Sequence, residues 1–370
     1  MRLRKPSAGA GLLEVYMVKR VWRTLAILVT VVALFGATIL AIGVGQVSIP
    51  PDTTAAILLS KVPPLNLIFN HNWPTSYEVI VMEIRLPRVL LGILVGAALA
   101  SSGAVMQGTF KNPLADPYVL GLAAGAVFGA SMSMVLGLSL GVGFARYSTP
   151  FLAFIFTLLT AFLVYSIARV GKKVPTSTLL LAGIAVGTFF WAINSFIQYL
   201  AGERLQAVIF WIMGGLWPAS WEDVALSAPP IILGIALIML FSKHLNAMLM
   251  GEEVASSLGI NVDFALKALI VLSALIVASA VAVSGTIGFV GLVIPHMLRL
   301  IVGPDHRVLL PTSCLFGATF LVLADLVARL VVAPAELPVG IITASIGAPF
   351  FIYLLRTKKK AIGLGGRLVS

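Results

Sequence analysis

Stretches of about 20 apolar residues recur along the whole chain, and no other feature restricts its folding as much. A helix needs that length to cross roughly 30 Å of hydrocarbon, and within lipid it satisfies its own backbone hydrogen bonds. Ten windows qualify: residues 24–46, 88–109, 118–140, 148–169, 179–201, 224–242, 265–284, 287–302, 309–332 and 338–355. The eighth, IGFVGLVIPHMLRLIV, is short and contains Pro295, His296 and Arg299, so a short or bent crossing among protein neighbours is expected. Composition agrees: 59% of the 370 residues are apolar and 11% are charged, against about 25% charged in an ordinary soluble domain. The expected fold class is an all-α integral membrane protein of about ten spans.

The first window is too long for the apolar part of a signal peptide and lacks a clear small-residue cleavage site, so it reads as an uncleaved span. Ten crossings put both termini on one side. If that side is the cytoplasm, only Lys61, Arg85, Arg88, Arg146, Arg204 and Arg329 of the 25 Lys and Arg lie outside, as the positive-inside rule requires. The formal charge of +11 is then a matter of orientation, and nucleic acid need not be invoked. This reading divides the chain into a cytoplasmic segment 1–23, a transmembrane domain 24–356 and a basic cytoplasmic tail 357–370, placed in the cell (cytoplasmic or inner) membrane. The longest external segment, 47–82, is punctuated by Pro50, Pro51, Pro63, Pro64 and Pro74. It also carries Ile57, Leu58, Leu59, Leu65, Ile68, Phe69 and Trp73, so an ordered cap with short helices is expected. Cys314 lies within a span, which argues against a disulfide framework and a cysteine metal site.

Catalytic signatures are missing. There is no G-x-x-x-x-G-K-[ST] phosphate loop, the four histidines never form H-E-x-x-H, and Ser284 before Gly285 has no histidine at a suggestive position. No catalytic residue, metal ligand or resident cofactor is therefore assigned. Asp325 is the only acidic residue well within a span, and Arg329 follows it at i+4. A secondary transporter or channel driven by an ion gradient, the alternative class, would need more intramembrane acids.

Polar and small residues indicate packing. Gln107, Asn194, Gln198 and His296 are costly facing lipid and should face helices or a cavity. GLAAGAVFG is expected to place Gly121, Gly125 and Gly129 on one helix face, and LAGIAVG does the same with Gly183 and Gly187. In EIRLPRVLLG, Arg85 and Arg88 flank Pro87 before an apolar run. The proline suits the first turn of a helix, which would hold both arginines at an external basic rim shared with Arg329. The internal loop 243–263 is long enough for two short helices around a glycine turn at Gly251. It mixes Glu252 and Glu253 with Leu245, Met248, Leu249, Val254 and Leu258, a candidate docking surface for a soluble partner.

Four stretches, RLPRVLLGILVGAALASSGAVMQGTFKNPLADP, LMGEEVASSLGINV, GTIGFVGLVIPHMLRLIVGPDHR and LADLVARLVVAPAELPVGIITASIGAPFFIYLL, resemble the FecCD-type permease subunits of type II ABC importers for iron-siderophores, haem and cobalamin. The match runs in order from about residue 80 to 356. The resemblance implies a homodimer or pseudo-dimer of permeases around a central pathway, two cytoplasmic ATP-binding subunits that use ATP and Mg, and an external substrate-binding protein. It implies that Gly251, Glu252, Glu253, Ala255, Leu258 and Gly259 couple to the ATPase, and that Arg85, Arg88 and Arg329 meet glutamates of the binding protein. A cytoplasmic gate maps to Asn112, Leu114, Thr176, Ser177 and Leu181. The implied cargo is a metal chelate: the late segments look closest to cobalamin permeases, and iron chelates, haem included, lead as a class.

Overall fold

The computed structural model describes residues 12–63, 72–138, 141, 145–171 and 174–365. Pro64, Leu65, Ile68, Phe69 and His71, and the basic residues Arg2, Arg4, Lys5, Lys172, Lys173 and Arg367, lie outside these residues. The elements are helices: α1 (Leu12–Gly43), α2 (Pro51–Ser60), α3 (Thr75–Val79), α4 (Leu86–Thr109), α5 (Leu122–Leu136), α6 (Ala145–Ala168), α7 (Thr176–Leu200) and α8 (Leu205–Met213). They continue with α9 (Trp221–Leu240), α10 (Ser242–Met250), α11 (Glu252–Ser257), α12 (Val262–Ser284), α13 (Val290–Val302), α14 (His306–Leu330) and α15 (Val339–Gly365). Among the described residues, seven helices are long and apolar enough to cross a membrane. Three shorter apolar helices, Leu122–Leu136, Val290–Val302 and Val339–Tyr353, fall on the third, eighth and tenth windows. The eighth is short as expected: 13 residues in α13 reach only about 20 Å.

Burial ranks the helices. The best apolar window of the helix containing α4 is 83% buried, against 22% for those of α1 and α9, so α4 is the axis and the others are its shell. Close approach there depends on missing side chains. A Cβ on Gly96 would run into the backbone of Gly317 on α14, and one on Gly103 into Gly291 on α13. Polar side chains reinforce the crossings: Gln107 Nε2 donates to the Leu292 carbonyl at 3.0 Å, and Asn194 Nδ2 to the Ala124 carbonyl at 3.1 Å. His296 Nδ1 lies 3.2 Å from the Pro113 carbonyl.

Two expectations need correction. The helix of the second span does not begin near 88. It is continuous from Thr75 to Thr109, so Pro87 is not at a helix entrance. A π-helical turn, Ile80–Arg85, immediately precedes α4, and this wider turn accommodates the ladder position at which proline offers no N–H. Gly121 does not share the face of Gly125 and Gly129. It precedes α5 with φ +74°, against Gly183 and Gly187 of α7, whereas Gly125 and Gly129 abut α6 at Phe156, Thr160 and Leu152. An αL residue ends the preceding 3₁₀ turn (Pro117–Leu120), so the glycine spacing continued past the helix that it suggested.

The 47–82 segment contains short helices, α2 and α3. Ile49 and Ile57 are buried in a small second core with Ala37, Ala41 and Ile42 of α1 and Val89 of α4, and Trp73 packs against it.

Candidate functional site

At the end of the molecule where α14 finishes, the three arginines meet. Each is buried, with residual exposures of 4% for Arg85 and 5% for Arg88 and Arg329, so they do not form an exposed rim. Arg88 donates from Nε and Nη2 to Asp325 at 2.8–3.0 Å and from Nη1 to Glu336 Oε2 at 2.8 Å. Asp325 also pairs with Arg329 at 3.1 Å, one turn along α14, and Arg329 Nη2 donates to the Ala41 carbonyl. Among the described residues Arg85 has no carboxylate partner. Its guanidinium donates to the backbone carbonyls of Ile42, Gly43 and Val47, closing the end of α1. Gln46 extends the clasp to the Pro334 carbonyl. The physical reason is cost: an arginine near the bilayer interior costs roughly 2.5–3.5 kcal/mol on insertion scales unless it finds acceptors, and these acceptors come from three separate segments. Sequence reasoning missed Glu336, although it is the only acid after Asp325.

At the opposite end, α10 and α11 form the paired helices expected in 243–263. Gly251 joins them at φ +126°, a conformation that side chains rarely adopt. Gly259 closes α11: its N–H bonds the Ser256 carbonyl and that of Ile260 bonds the Ala255 carbonyl, a Schellman turn. Ala255 is fully buried against Met248 and Ala265, so it anchors the pair, while Met250 (72%) and Leu258 (64%) are exposed beside Val254, Glu252 and Glu253. An apolar patch edged by carboxylates is thus presented on a base packed into the core through Leu245.

Asn112 and Leu114 stand in the turn after α4, where Asn112 Oδ1 accepts the Leu114 N–H at 3.0 Å. Thr176, Ser177 and Leu181 occupy the first turns of α7, and the 117–121 segment bridges the two sets by packing on Gly183 and Gly187. Leu181 is 66% exposed, on a side of α7 that also shows Ser177, Ile184, Thr188 and Ser195, opposite the buried Leu179, Val186 and Asn194. Among the described residues no group of three His, Cys, Asp or Glu is arranged to hold a metal ion.

Among the described residues, ten apolar helices packed around a glycine-lined axis, with a helix pair at one end, define a polytopic membrane protein. The chain belongs to the FecCD transport family, whose model matches residues 28–357, and so to the permease subunits of type II ABC importers. It is 42% identical over 360 residues, 95% of each chain, to a cobalamin import system permease protein of Halobacterium salinarum. It is 41% identical to a hemin transport system permease protein of Yersinia pestis, covering 80% of this chain and 90% of that one. A solved transporter assigned to the metal-chelate type of ABC transporter, in an inward-facing conformation, superposes with a TM-score of 0.77 at 33% identity. That match covers 90% of this chain and 98% of the other.

Proposed function

We propose that this permease passes a metal chelate across the cytoplasmic membrane by ATP-driven alternating access, with both termini and the α10–α11 face in the cytoplasm. Two copies enclose the pathway, each engages one ATP-binding subunit through α10 and α11, and a substrate-binding protein delivers cargo at the arginine end. The observation that carries this reading is the helix pair itself: exposed Met250, Leu258, Glu252 and Glu253 on a rigid, buried base are built to receive a soluble partner. The uncovered side of α7, with hydroxyls among apolar residues, suits a cargo path between copies better than lipid contact alone, and there Asn112, Leu114, Thr176, Ser177 and Leu181 form the inner gate. Substituting Glu252, Glu253 and Leu258 together should release the ATPase subunit in detergent; co-purification at the native ratio would place docking elsewhere.

The arginines act in docking as a group. Their cluster holds three guanidiniums and two carboxylates, with Arg85 bonded only to backbone carbonyls, and so leaves one net positive charge beneath the outer face that favours an acidic partner. Binding-protein affinity should therefore fall as salt is raised, and an affinity indifferent to salt would remove the electrostatic part of the proposal. The gradient-driven alternative has little to work with, because Asp325 is already engaged by Arg88 and Arg329. ATP-independent uptake into proteoliposomes under an ion gradient would nevertheless reinstate it. Iron chelates, haem included, are the leading cargo, and cobalamin is the other outcome; mass spectrometry of the ligand retained by the cognate binding protein decides between them.

A further inference from the structure

A polar knot on the α10–α11 face joins three elements that the coupling reading leaves unconnected. Asn246 of α10 grips the start of α14 with both ends of its amide. Its Nδ2 donates to Asp305 Oδ1 at 2.7 Å, and its Oδ1 accepts the His306 N–H at 2.8 Å and lies 3.0 Å from His306 Nδ1. Asp305 is the N-cap of α14: its carboxylate accepts the Arg307 N–H at 3.0 Å, and its carbonyl accepts those of Val308 and Leu309. Its second carboxylate oxygen takes the guanidinium of Arg23, which extends from α1. Burial by itself would raise the Asp305 carboxyl, but the Asn246 amide, the Arg307 N–H and the charges of Arg23 and Arg307 outweigh it and hold it below the usual carboxylate range. The carboxylate therefore stays charged at neutral and mildly acidic pH. His306 is completely buried and its ring fits against Gly108 at the end of α4, where no side chain would leave it room.

From this knot α14 runs as one helix of 25 residues, about 37 Å, along the glycines of α4 to Asp325 and Arg329. One rod thus has the coupling helix tied to its first turn and the arginine cluster on its last turns. A displacement of α10 cannot be absorbed by a flexible loop, because the amide of Asn246 bonds the cap itself.

We propose that Asn246 and Asp305 form the joint through which movement of the α10–α11 pair is transmitted to α14, and that Arg23 clamps α1 to the same joint so that the two helices move together. All three are positioning residues: their bonds are to one another and to the first turn of α14. The inference rests on the reading of α10 and α11 as the ATPase contact.

The test uses the complete permease–ATPase complex in proteoliposomes, with Cys314, the single native cysteine, replaced and a reporter cysteine at Leu181. The rate of labelling by an impermeant maleimide is measured with and without ATP and vanadate. In the parent complex, nucleotide should change this rate. In Asn246→Ala and Asp305→Asn the change should shrink about fivefold or more, the lower range of ordinary coupling between sites, while the ATPase subunit stays bound at the parent ratio. Arg23→Ala, the mildest lesion, should show the same direction with an unshifted thermal melt, which separates uncoupling from unfolding. A full nucleotide response in Asn246→Ala and Asp305→Asn overturns the joint, and a full response in Arg23→Ala alone removes the clamp. Loss of the ATPase subunit from the variants would make these residues part of the docking surface and overturn the transmission role. A parent complex that binds no ATPase subunit sinks the importer reading itself, and this inference with it.

Discussion

Two buried guanidiniums close on Asp325, and of the two only Arg88 has a second carboxylate to turn to. Deleting one member of a buried ion pair costs on the order of 3–5 kcal/mol, chiefly through the charge left behind. Asp325→Ala should therefore lower the thermal midpoint sharply in detergent. Glu336→Gln should cost no more than about 1 kcal/mol, since the Glu336 side chain is 29% exposed and water can replace it. Equal losses from the two would show that the carboxylates share the load. The i, i+4 pairing of Asp325 with Arg329 was legible from spacing alone. Arg88 and Glu336 were not, since 248 residues separate them and no periodicity links them.

At the scale of elements, glycine sets the geometry twice in different ways. Along α4 it permits contact: Gly103→Leu would force α4 off α13, an overpacking that costs typically 1–3 kcal/mol or more, visible as loss of monodisperse protein in size-exclusion chromatography. Between α10 and α11 it permits a turn: Gly251→Val imposes backbone strain of roughly 1–3 kcal/mol locally. That strain should reduce ATPase co-purification while leaving the thermal melt of the permease nearly unchanged. A lowered melt with intact co-purification would reverse the assignment. The glycine turn at 251 was readable because mixed apolar and polar segments, each long enough for a short helix, flank it on both sides. The role of Gly121 was not, because three glycines at a spacing of four look alike whether the first lies inside the helix or ends the turn before it.

For the whole molecule the open quantity is orientation. With Cys314 replaced, a reporter cysteine at Leu258 should label with an impermeant maleimide only in inverted vesicles, and one at Tyr199, 85% exposed at the far end of α7, only in right-side-out cells. The opposite pattern would invert the topology and place α10 and α11 outside. The uneven distribution of lysine and arginine supports the proposed direction, since each such charge resists translocation.

The number and order of the apolar helices, the paired helices in 243–263 and the family were legible in the residues alone, because hydrocarbon thickness and local turn chemistry act on residues close together in the chain. Tertiary structure alone decided what Arg85, Arg88 and Arg329 face, how Asn246 reaches the cap of α14 and why Pro87 is tolerated within a continuous helix. Each of these depends on groups brought together from distant segments, where the high cost of a buried charge or an unmet donor selects partners that sequence spacing does not encode.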